Sequence, residues 1–178
     1  MIRAGIDYSL RSPCVAVTHD GVHYEAHYLT DTKKFLGNWK YGNISVTGWQ
    51  YPEWHTPEER HHLLSEWSVA FCSDAGRVVI EDYAMGAKGR VFHIGENCGL
   101  LKWKLWNLKI GFTVVPPTVL KKFATGKGNS DKEKMHEAFV GQFGVDLRAS
   151  MTPANTKVGN PVSDIVDAIF LCRYTSGH

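Results

Sequence analysis

The chain has 178 residues, 43% hydrophobic and 21% charged, with a formal net charge of +2 when its nine histidines are counted as neutral. Length and composition suit one globular domain spanning residues 1–178 and leave little room for a second. So small a charge does not by itself announce a nucleic-acid partner. No uncharged apolar run nears the roughly 18 residues of a membrane span, and no basic start followed by an apolar core marks a secretory leader. Cys14, Cys72, Cys98 and Cys172 form no CxxC pair, so reduced, mostly buried thiols and a cytoplasmic location are expected.

Residues 2–7 read as a short strand ending in Asp7. Asp20-Gly21 marks a hairpin turn between residues 14–18 and 22–28, so three antiparallel strands are expected first. Residues 33–57 are rich in Gly, Asn, Trp and Tyr and show no sustained period. They are expected to form an irregular aromatic-rich insertion with one short strand, Asn43 to Trp49. Its cluster Trp39, Tyr41, Trp49, Tyr51 and Trp54 reads as a satellite core or as an added surface for DNA or a partner.

Thr56-Pro57-Glu58-Glu59 opens a helix: Thr56 caps, Pro57 fits the first position and Glu59 completes a capping box. Leu63, Leu64, Trp67 and Phe71 then recur at helical spacing, and His61-His62 lacks metal-ligand spacing and receives no site. Gly76 ends the helix, and residues 77–81 form a strand ending in Glu81, which suggests a crossover connection. Asp82, facing the opposite way, reads as a surface residue.

Residues 92–109 read as a helix with a stripe of Phe92, Gly95, Gly99, Leu100, Trp103 and Trp106, the glycines permitting close approach of another backbone. Residues 112–115 form a strand that stops at Pro116-Pro117. Ser130-Asp131-Lys132-Glu133 reads as a second capping box, and the last helix runs from about Pro161–Ser163 to Arg173. The expected class is α/β, with a mixed sheet of antiparallel then parallel strands flanked by helices.

Four acids stand out: Asp7, Glu81, Asp164 and Asp167. The first two end apolar runs, where a lone carboxylate is costly to bury without a cation or a proton. Asp164 and Asp167 lie one helical turn apart and project from one face. Carboxylates converging this way hold hard divalent cations, and two ions about 3.5–4 Å apart can clamp the attacking and leaving oxygens of a phosphodiester. Asp7 is the natural bridging ligand, and Glu81 would hold the ion that activates water. Lys132 could balance charge on the phosphate in the transition state.

Basic residues concentrate between 100 and 160, among them Lys102, Lys104, Lys121, Lys122, Lys127, Lys132, Lys134 and Arg148, as phosphate contacts or a solvated face. Gly126-Lys127-Gly128-Asn129 can offer N–H groups to a phosphate, though it lacks P-loop spacing and also reads as a flexible turn.

Five segments in order resemble the RuvC-type Holliday-junction resolvases: Gly5-Ile6-Asp7-Tyr8-Ser9, Val79-Ile80-Glu81-Asp82-Tyr83 with Gly95 to Leu101, Pro116 to Gly126, Asn129 to Lys134, and Ser163 to Ala168. Residues 30–70 match poorly. The resemblance implies an RNase H-like fold, a homodimer, and a nuclease that nicks branched DNA with Mg²⁺ or Mn²⁺. It places Asp7, Glu81, Asp164 and Asp167 on the family's acidic tetrad. Lys132 and either Lys121 or Lys122 fall near its lysines. The loop 84–92, with Lys88 and Arg90, would face DNA. The family's stacking aromatic aligns with Ala84, so Tyr83 is the candidate to supply it.

Other readings are an RNase H-like nuclease for RNA–DNA hybrid or forks, and a branched-DNA binder without catalysis. Sugar kinases and actin-like ATPases also begin Gly-Ile-Asp-x-Ser, but they need about two such domains.

Overall fold

A computed structural model describes residues 1–83 and 91–174. Its seven strands are β1 (Arg3–Asp7), β2 (Cys14–Thr18), β3 (Tyr24–Thr30), β4 (Gly37–Tyr41), β5 (Ile44–Gln50), β6 (Arg77–Glu81) and β7 (Phe112–Val115). They form one sheet in the order β4-β5-β3-β2-β1-β6-β7. β1, β2 and β3 are antiparallel, whereas β6 and β7 run parallel to β1. The helices are α1 (Pro57–Ala70), α2 (Val91–Asn107), α3 (Pro117–Thr125), α4 (Lys132–Phe143), α5 (Leu147–Met151) and α6 (Val162–Tyr174). This is the mixed α/β architecture of an RNase H-like fold. No helix among the described residues is long and apolar enough to cross a membrane.

The segment 33–57, expected to be irregular, contributes two strands. β5 matches the one expected there; β4 does not appear in the sequence reading. Gly42, at φ +58°, makes the tight turn between them. β5 slots in beside β3 and runs parallel to it, while β4 takes the outer edge.

Capping explains two further boundaries. Thr56 accepts from Glu59 N–H as expected, but the Glu59 carboxylate reaches back to His55 N–H. The α4 cap is Asp131, which accepts from Lys134 N–H. Ser130, the expected cap, instead bonds Thr125 Oγ1 and the Lys127 carbonyl. Either residue suits a cap. Glu133 is thereby freed to accept from Val158 N–H and to pair with Arg148.

Side chains alternate across β1, so Ala4 and Ile6 join the core under α1 and α2, and Gly5 faces α6. At Gly5 an added Cβ would lie 2.1 Å from Cys172 N and 2.3 Å from Ala168 O. Only a glycine admits the α6 backbone this close. Asp7 shares that face; on the same helix Asp164 sits one turn before Ala168, and Asp167 directly precedes it. The close approach therefore lowers the α6 acids onto the end of β1. Gly5→Ala is expected to cost about 3 kcal/mol or more, read as a lower urea midpoint at unchanged slope. A loss under about 0.5 kcal/mol would show that the sheet and helix part easily.

Candidate metal centre

Asp7 and Glu81 end adjacent parallel strands, one residue past the register pair Ile6 and Ile80. Asp167 comes down from α6. One carboxylate oxygen from each of Asp7, Glu81 and Asp167 lies within 4.8 Å of the others. All three are partly buried. Asp7 and Glu81 line a cleft of about 460 Å³, together with Tyr8, Leu10, Arg11, Ser12, Tyr83, Lys132, Asn160 and Asp164.

Asp164 stands beside this group, with its oxygens turned to hydroxyls. Ser12 Oγ donates to Oδ2 at 2.7 Å, and Ser163 Oγ lies 3.4 Å from Oδ1. Asn160 Nδ2 donates to Ser12 Oγ at 2.7 Å, while its Oδ1 sits 3.5 Å from Lys132 Nζ. Lys132 Nζ also donates to Ser163 Oγ at 3.2 Å. A single polar network thus ties the lysine at the start of α4 to the acid at the start of α6.

Burial pushes every acid of the quartet upward, and repulsion from neighbouring acids adds to it at Asp7, Glu81 and Asp167. For Asp7, burial raises the pKa most, followed by Asp164, Glu81 and Asp167. Burial is also the leading cause at Glu81, raised to about 7, at Asp164, raised to about 6, and at Asp167, raised to about 8. The lysines Lys121 and Lys132 oppose the shift at Glu81 and Asp167. A divalent cation fits this site. The donors are hard carboxylate oxygens, they converge from three elements, and the two nearby lysines do not offset their repulsion.

The other expected contacts divide. Lys121 is the partly buried lysine whose charge reaches Glu81 and Asp167; Lys122 is exposed. Lys127 and Lys134 are exposed and lie outside the cleft lining. Tyr83 lines the cleft, with its hydroxyl 3.8 Å from the Cβ position of Gly95 and Lys102 Nζ 5.7 Å from its ring centre. Lys88 and Arg90, like Ala84, lie outside the described residues.

Charge counting along the chain overstated the basic face. Lys104 is buried between α1 and α2 against Glu66 and His62. Lys102 pairs with Asp82 at 3.9 Å, and Arg148 with Glu133 at 3.3 Å. Asp82, read as a surface residue, sits in the cleft wall. The aromatic cluster also splits: Trp39 and Tyr41 pack against the core, Tyr51 is buried, and Trp49 and Trp54 stay exposed.

Sequence reasoning missed Ser12, Asn160 and Arg11. Ser12 meets both Asp164 and Asn160 across nearly the whole chain, and no local spacing signals that.

No protein-family model and no curated protein matches the chain. Solved structures do. A structure of RuvC from Thermus thermophilus aligns with a TM-score of 0.61 at 14% identity, covering 99% of this chain and 96% of that one. T. thermophilus RuvC in complex with a Holliday-junction substrate aligns with a TM-score of 0.64 at 13% identity, covering 99% and 93%. At such identity the likeness establishes a RuvC-like fold.

Proposed function

We propose that this chain is a metal-dependent endonuclease that resolves four-way DNA junctions, acting as a homodimer in the cytoplasm. The observation that carries the reading is the convergence of Asp7, Glu81 and Asp167 on a RuvC-like fold, one of whose neighbours was solved on a Holliday junction. Two Mg²⁺ ions, with Mn²⁺ as a substitute, would be held by Asp7, Glu81 and Asp167, with Asp164 completing the set. Bound there, they supply a water-derived nucleophile near neutral pH and charge stabilisation at the leaving 3′ oxygen.

The chain's own groups do the rest. Lys132, held by Ser163 and Asn160, places a positive charge at the cleft wall for the phosphate. Lys121 adds a second positive charge near Glu81 and Asp167. Tyr83 offers an aromatic face at the mouth for an unpaired base.

The dimer reading rests on α2. Phe92 is 80% exposed, Trp103 55% and Trp106 70%, along one helical stripe with Gly95 and Gly99. A Cβ added at Gly99 meets nothing within 4 Å, so this face is open to a second backbone. An apolar stripe of this kind marks an interaction surface. Gly99→Leu is therefore expected to shift the protein to monomers in sedimentation velocity. An unchanged dimer would remove α2 from the interface.

The deciding experiment offers the purified protein a labelled four-way junction beside linear, forked and RNA–DNA hybrid duplexes, with Mg²⁺ and with chelator. Paired nicks in the junction, dependent on Mg²⁺, are expected. Preferential cutting of hybrid or fork would move the assignment to another RNase H-like activity. Tight junction binding with no cutting under any metal would leave a binding protein.

A further inference from the structure

A second pocket, of about 310 Å³, adjoins the acidic cleft, and Leu10 and Arg11 line both. Its other walls are Trp54, Pro57, Arg60, His61 and His93. Resting on the junction-cutting reading, we propose that this pocket receives one unpaired nucleotide of the strand being cut. Trp54 stacks its base, and Arg11 binds the phosphate between pocket and cleft.

The pocket is built in advance. The Arg60 guanidinium lies 4.8 Å from the Trp54 ring centre and backs one face of that ring. Arg60 is itself fixed, since Nε donates to Tyr51 Oη at 2.8 Å and Nη2 to the Leu10 carbonyl at 2.6 Å. The Tyr51 hydroxyl donates to the same carbonyl. Trp54 remains 40% exposed, so a rigid indole is presented with a cation behind it.

His61 also lines the pocket and makes no hydrogen bond to another described residue, so its imidazole is free to meet a base edge or a phosphate. Arg11 is exposed and makes no ion pair or hydrogen bond among the described residues. It borders the cleft, this pocket and a third hollow. A free guanidinium there suits a backbone phosphate on its way to the acids.

The chemistry selects a nucleotide over an apolar ligand: an aromatic face, a guanidinium and an imidazole line one pocket that shares Leu10 and Arg11 with the acid-lined cleft. Pairing buries base edges and faces in the stack, so the base must be unpaired, as near a branch point.

The test uses the full chain with chelator, so that nothing is cut, and junctions carrying 2-aminopurine at successive positions around the cut site. One position should change its fluorescence on binding. Trp54→Ala should erase that change and weaken binding about tenfold, while Trp54→Phe keeps most of it. Arg11→Ala should weaken binding about tenfold and flatten its salt dependence by about one phosphate. Melting temperatures are taken for each variant to confirm folding. A junction complex in which Trp54→Ala and Arg11→Ala leave both signal and affinity intact overturns the pocket alone. A wild-type chain that binds no junction overturns the parent reading as well.

Discussion

Asp7→Asn is expected to lower junction cleavage at least about 10³-fold while junction binding is kept or tightened. Asp7 groups with Glu81 and Asp167 and lines the cleft, so the substitution removes a carboxylate that would hold the metal with almost no change in shape. It also removes a negative charge facing the incoming phosphates, which favours binding. The same change relieves repulsion that Asp7 feels from Asp164, Glu81 and Asp167, so the metal-free variant should melt higher than wild type at pH 8. Gel assays on an immobile junction and a thermal melt with chelator check both halves. Wild-type cutting by a rigorously purified Asp7→Asn protein would falsify the metal-centre assignment.

The second large effect is on stability against pH in the absence of metal. An acid whose pKa is raised by folding stabilises the native state fully below its unfolded value, near 4, and loses that contribution as pH rises through its folded value. Asp164, Glu81 and Asp167, at about 6, 7 and 8, and Asp7, also raised, all carry this sign. His27, His61 and His136 are pushed down by desolvation and act the opposite way, but below about pH 6.5. The four buried thiols share the sign of the acids but come into play above about pH 8. Between pH 6.5 and 8 the acids therefore dominate. With chelator, stability should fall by about 2–3 kcal/mol across that window, a drop of roughly 5–10 °C in melting temperature. Added Mg²⁺ should restore most of it at pH 8 and little at pH 6.5, because cation and proton compete for the same oxygens. A flat or rising melt in chelator would contradict the buried-acid account.

Much of this site was legible beforehand because strand ends and helical turns are local patterns. An acid closing an apolar run predicted Asp7 and Glu81 at neighbouring strand ends, and a three-residue spacing predicted Asp164 and Asp167 on one face of a helix. What failed was non-local. Ser12 and Asn160 gain their meaning from a contact that only the closed fold makes. Lys104 counted as a surface charge until packing placed it between two helices. His61 carried no ligand spacing, yet the fold turns it into a pocket wall. The β4 strand is short and half exposed, so its hydrophobic alternation was too weak to register.

That outer hairpin has a consequence for how the chain behaves among its own copies. β3 carries seven residues, with Tyr24, Ala26, Tyr28 and Leu29 all buried. Were β5 not seated against it, β3 would offer a sticky row of open amide groups to any other chain. With β5 in place, the exposed rim passes to the five-residue β4, whose Asn38 and Lys40 point to solvent. The aromatic-rich segment thus serves as a guard against fibril-like association.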